Sequence, residues 1–157
     1  MTHCAVAAAR KWLGTPFQEG ASVCMIGADC AGLIEGVARD LGVAYPCRAA
    51  VADSLLVAAR AFMVPIETPQ AGSIILLSRE PGGLPLHGAL VTDTQTLIHA
   101  HWRAGVVENR FGDWFARRVT HVFAWPTLKS LPPLRAGKSQ MGNVAISFPL
   151  HPRPLSP

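Results

Sequence analysis

Apolar residues recur at helical spacing through the first part of this chain and in short strand-like runs through the middle. Ala5 to Leu13 mixes apolar and basic residues at helical period and stops at Gly14-Thr15-Pro16. Phe17 to Ala28 has no such period, carries Gly20, Ser22 and Gly27, and reads as a loop. Asp29 has the side chain of a helix N-cap. Behind it Leu33, Ile34, Val37, Ala38 and Leu41 share one helical face, and Gly42 ends the segment. Val51 to Met63 predicts a further amphipathic helix before Pro65. The texture then changes to strands: Ser73–Ser78, Leu86–Thr92, Thr96–His101, Gly105–Arg110 and Val119–Trp125. Glu80–Pro85 is a Gly/Pro loop and Gly112–Arg118 a short helix. Helices first and strands afterwards imply an α+β fold, with the helices packed on an antiparallel sheet of five to six strands.

Beyond Ser130 the periodicity disappears, and six prolines and no acidic residue occupy the last 28 positions. This divides the chain into a domain over 1–128 and a proline-rich C-terminal arm over 129–157, expected to be disordered alone or laid along a partner. The 157 residues suffice for one domain with a core. Half are hydrophobic and 15% are charged, which excludes an unfolded, solvating chain. The longest unbroken apolar run, Cys4–Ala9, is far too short for a membrane span. A net charge of +4 with no Lys/Arg run gives no nucleic-acid signature. The N-terminus has its basic residues after a short apolar run, the reverse of a signal peptide, so synthesis in a reducing cytosol is expected. Cysteines 4, 24, 30 and 47 are therefore expected as free thiols. Their spacing does not suit zinc, and no metal or cofactor is expected.

Cys30 has the strongest chemical context among them. It stands in the first turn of the helix opened by Asp29, where unpaired backbone N–H groups and the helix dipole favour a thiolate, and Gly32 leaves the approach to the sulfur open. The competing reading is a buried structural cysteine. A thiolate nucleophile needs an imidazole partner and a group that orients it. His3 lies near the terminus, His151 in the arm, and His121 in an ordinary-looking strand, whereas His87, His99 and His101 fall in one predicted hairpin. A turn centred on Asp93 sets His87 opposite His99, and one centred on Thr94 sets it opposite His101; periodicity does not choose between them.

Ala9-Arg-Lys-Trp-Leu-Gly-Thr-Pro-Phe17 and Gly27-Ala-Asp-Cys-Ala-Gly-Leu-Ile34 resemble the NlpC/P60 family of cysteine peptidases. In that family's order follow Gly72–Leu77, His87-Gly-Ala-Leu-Val91, Leu97-Ile-His-Ala100 and Val106-Val-Glu108. Trp114–Trp125 resembles its phage and gene-transfer-agent branch. The resemblance covers about residues 5–127. It implies a papain-like fold in which Cys30 is the nucleophile, His87 the general base and His99 the orienting residue, which favours the register centred on Asp93. It also implies peptidoglycan as substrate, cut in its peptide stem after D-glutamate and before a diamino acid. Phe17, Asp29, Ala31 and His101 are the candidate substrate- or oxyanion-binding positions. Two of these depart from the pattern: Phe17 stands where Tyr is usual, and Ala31 where Ser is common. The branch further implies a phage-like tail tip acting on the cell wall, with the arm docking on tail-hub or tail-fibre proteins. A structural hub subunit with little activity, and an acyltransferase or amidase on the same scaffold, are the alternatives.

Overall fold

Where each helix stops is set by backbone chemistry that the apolar pattern only approximates. The computed structural model describes residues 2–45, 55–92 and 95–126. Helix α1 (Thr2–Arg10) ends before Leu13 because the N–H groups of Lys11, Trp12 and Leu13 reach back only three residues, and Gly14 turns at φ +85°. Helix α2 (Cys30–Asp40) begins as expected at Asp29, whose carboxylate accepts from Gly32 N–H at 2.8 Å. It buries Leu33, Ile34, Val37 and Ala38, and Gly42 follows at φ +66°. Helix α3 (Leu55–Phe62) is the described part of the 51–63 helix; residues 51–54 lie outside the described residues, as do Cys47 and the whole arm over 129–157.

Two features went unseen in the pattern. The expected loop Phe17–Ala28 contains a hairpin, β1 (Ser22–Val23) with β2 (Gly27–Ala28), whose turn holds Met25 at φ +62°. Strand β3 (Val64–Pro65) follows α3 directly. Both are paired over two residues, too short for alternation to register. The remaining elements are β4 (Ile74–Ser78), β5 (Pro85–Val91), β6 (Thr96–His101), β7 (Gly105–Arg110), α4 (Asp113–Ala116) and β8 (Val119–Ala124). The main sheet has six antiparallel strands in the order β3-β8-β4-β5-β6-β7.

Both faces of the sheet centre are covered, which explains why β4 is buried at every position. One face carries Ile74, Leu76, Leu90, Ile98, Ala100, Val106 and Phe123 against the helices. The other carries Ile75, Leu77, Ala89, Val91, Leu97 and Val122, overlaid by Ile66, Phe111, Phe115 and Val119. Two glycines set the helix–sheet distance. A Cβ on Gly36 would lie 1.9 Å from the Trp12 ring, so α1 and α2 close only around a bare position. A Cβ on Gly88 would lie 2.7 Å from Ile34 Cδ1, so β5 runs tight beneath α2 next to His87. Among the described residues no helix is long and apolar enough to cross a membrane.

Candidate active site

The first turn of α2 is pinned from two sides. Asp29 Oδ1 accepts from Gly32 N–H and Oδ2 from Gly20 N–H, each at 2.8 Å, while Ser22 Oγ donates to Gly32 O at 2.7 Å. Asp29 is 8% exposed. A carboxylate so engaged by backbone amides holds the loop and helix in place. Cys30 follows it, partly buried and in no disulfide; Cys4 and Cys24 are likewise thiols, and Cys24 Sγ donates to Lys11 O. Ala31 is partly buried in the same turn. Phe17 reaches the start of α2 through a parallel bridge to Ala28 and is 37% exposed. Its ring has no hydroxyl to offer an oxyanion.

Helix α2 packs on β5 and β6 through the face of Leu90, Ile98 and Ala100, and the histidines alternate with these residues along the same two strands. The ladder pairs Leu90 with Ile98 and Val91 with Leu97, which is the register centred on Thr94, not the one on Asp93. His87 and His99 nevertheless meet, as diagonal neighbours on one face: His87 Nε2 lies 2.9 Å from His99 Nδ1, the rings edge-on with centroids 5.1 Å apart. Diagonal partners are within reach of ring side chains, so contact survives the change of register. His99 is 6% exposed, and its Nε2 stands 3.0 Å from Asn109 Oδ1 on β7.

His101 differs from the other two. Its Nδ1 accepts from the N–H groups of Arg103 and Ala104, each at 3.2 Å, so it caps the β6–β7 turn and keeps only Nε2 for another molecule. Its ring stacks on Trp102, and Phe115 stands edge-on to His99 and to Trp114. Trp102 and Trp114 are 64% and 60% exposed, each with an arginine over its ring: Arg103 at 4.2 Å and Arg118 at 4.1 Å.

Burial is the main cause of a lowered His87 pKa, about 4 against an ordinary 6.5; the nearby His99 and His101 lower it further, and Asp29 raises it. The N-cap Asp29, which precedes Cys30, is thus within electrostatic reach of His87. His99 is also lowered, chiefly by burial, against the opposing hydrogen bond to Asn109. At neutral pH both imidazoles are uncharged, as a general base must be.

Asn109 escaped the sequence reading. It follows the Val106-Val-Glu108 segment, and on β7 it pairs with Leu97 while Val107 pairs with His99. Residues 97, 99, 107 and 109 therefore share a face, a signal available only once the β6–β7 register is known. His121 lies apart on β8, where its Nε2 is 3.2 Å from Arg60 Nη2. A cavity of about 550 Å³ at that sheet edge is lined by Arg60, Ile66, Glu67 and His121 and holds none of Cys30, His87 or His99. Among the described residues no cluster of His, Cys, Asp or Glu is arranged for a metal ion.

No protein-family model and no curated protein matches the sequence. Solved structures do match. An NlpC/P60 family protein from Bacillus cereus ATCC 10987 superposes with TM-score 0.66 over 80% of this chain and 40% of its own, at 16% identity. The NlpC/p60 domain of the peptidoglycan hydrolase SagA gives TM-score 0.60 at 22% identity, over 79% of this chain and 98% of that domain. Ly7917, solved with the hydrolyzing product of MDP, gives 0.56 at 16% identity, over 80% of this chain and 63% of its own. The chain thus spans about two-fifths of the Bacillus cereus protein's length. What these likenesses establish is the fold: this chain has the α+β NlpC/P60 fold.

Proposed function

We propose that the chain is a thiol hydrolase that cuts an amide in the peptide stem of bacterial peptidoglycan. The observation that carries this reading is the hydrogen-bonded pair His87–His99, with His87 within electrostatic reach of Asp29, the N-cap that precedes Cys30 on α2. It is supported by the fold shared with SagA's peptidoglycan hydrolase domain and with Ly7917, and by the sequence resemblance centred on Asp29-Cys-Ala-Gly-Leu33. In the proposed mechanism Cys30 Sγ loses its proton to His87 and attacks the amide carbonyl. The developing oxyanion is held by backbone N–H groups at the start of α2. His87 then protonates the leaving amine, leaving a thioester on Cys30. Water, deprotonated by the same imidazole, attacks the thioester and restores the thiol. His99 orients His87 throughout. With Phe17 in place of Tyr the oxyanion relies on backbone donors and on such side chains as His101.

The bond after D-glutamate and before a diamino acid is the finer proposal. Digestion of defined muropeptides, with product masses, tests both levels. The expected products are a fragment ending in D-glutamate and one with a new free amine. Cleavage of glycan bonds alone, or of lipid amides but no stem peptide, overturns the reading.

For the cellular setting we propose a phage-like tail tip that opens the wall locally, with residues 129–157 docking on hub or fibre proteins. This rests on the resemblance of Trp114–Trp125 to the phage-type branch and on the apolar, acid-free composition of the arm.

A further inference from the structure

Asn109 is exposed on the edge strand β7, yet its carboxamide oxygen lies against the most buried of the three histidines. In this orientation the Asn109 carboxamide presents its oxygen, which can only accept, so the contact places a proton on His99 Nε2. A neutral imidazole protonated at Nε2 has its lone pair at Nδ1. That lone pair faces His87 Nε2 at 2.9 Å, so His87 Nε2 must in turn be the donor. The free lone pair of His87 is then at Nδ1. We propose that Asn109 is a positioning residue: through His99 it fixes the tautomer of His87, making Nδ1 the atom that takes the proton from Cys30. This rests on the proposed thiol-hydrolase reading.

The same geometry shows what fails without it. Were Asn109 apolar, His99 could hold its proton at Nδ1 and donate to His87 Nε2. His87 would then carry its own proton at Nδ1 and have no lone pair for the thiol. The other titratable groups facing this pair are His101 from β6 and Asp29 from the start of α2, with the Phe115 ring closing the side toward α4. His101 already has its Nδ1 engaged by the β6–β7 turn, and both oxygens of Asp29 accept from backbone amides. Neither is placed to substitute for Asn109 at His99 Nε2.

The test compares Asn109→Leu, of similar volume without an acceptor, with Asn109→Asp, an obligate acceptor. Nitrogen-15 spectra of the imidazoles in the full chain are read alongside kcat and KM. In the wild type, His99 and His87 should both show protonated Nε2 and unprotonated Nδ1. Asn109→Leu should lose that signature and lower kcat by about 10- to 100-fold, the usual scale for groups that orient a functional histidine, with KM nearly unchanged. Asn109→Asp should keep the signature and most of kcat, and move the acid limb of the pH profile upward. A wild-type His99 protonated at Nδ1 overturns the proposal, as does an Asn109→Leu protein with unchanged tautomers and kcat, or an Asn109→Asp protein as impaired as Asn109→Leu. If the wild type cuts no stem peptide, the functional reading fails, and the spectra still decide the tautomer chain.

Discussion

The surroundings of His87 keep it uncharged, as the proposed base must be. Burial does most of this, and the neighbouring His99 and His101 add to it against Asp29, holding its pKa at about 4. The acid limb of kcat/KM should therefore lie well below pH 6.5, and His101→Gln should move it upward by removing one of the neighbours that lower the His87 pKa. A limb fixed at 6.5 in both proteins would place the base elsewhere. The same shift bears on stability. Between about pH 6.5 and 4 the unfolded chain binds a proton at this imidazole that the folded chain does not, so stability falls as pH drops through that window and is constant above it. The full effect is at most about 3 kcal/mol. Denaturant midpoints measured across that range should fall more steeply for the wild type than for His87→Gln. Cys30 should be alkylated at neutral pH much faster than Cys4 or Cys24; equal rates would make it an ordinary thiol. At this scale Cys30 was marked out as a candidate by helix-start chemistry and a motif, and His87 and His99 by the family resemblance. Asn109 was not, because its partner is set by a strand register that no local pattern encodes.

Among the elements, α2 carries most of the positioning, and its seat depends on absent side chains. Alanine in place of a helix-interior glycine ordinarily stabilises by about 1 kcal/mol. At Gly36 the added methyl would meet the Trp12 ring at 1.9 Å, and overpacking of about 1–3 kcal/mol or more outweighs the propensity gain. Gly36→Ala should therefore lower the denaturation midpoint and alter Trp12 fluorescence; a more stable protein would contradict this packing. The N-cap offers a second check. Asp29→Ala removes acceptors for two backbone amides and should cost about 1–2 kcal/mol, with Asp29→Asn recovering part of it. The long strands were readable as short apolar runs bounded by turn residues, and β6 and β7 begin and end where the pattern sets them. The hairpin Ser22–Ala28 and strand Val64–Pro65 were not, because their pairing depends on partners elsewhere: α2 for the one and β8 for the other. The β5–β6 register was also hidden, since shifting the turn centre from Asp93 to Thr94 leaves the alternation of both strands unchanged.

For the whole molecule, the described core runs from Ala5 to Trp125 and closes both faces of the sheet with residues of that span. Deleting residues 129–157 should accordingly leave cooperative unfolding and stem-peptide hydrolysis intact while abolishing incorporation into a phage-like particle; particles that still carry the shortened chain would refute the docking role. The α+β class was legible at this scale from the order of helical and strand patterns. The cover that Phe111 and Phe115 give the second sheet face was not, since a short helix and a loop carry no periodicity that announces what they cover. The proposed hydrolysis stands or falls with Cys30. The most direct measurement is the time course of stem-peptide fragments released from purified peptidoglycan by the wild type and by folded Cys30→Ala, followed by mass. Steady release by the wild type and none above background by Cys30→Ala is expected; release by both at similar rates would remove Cys30 from the chemistry.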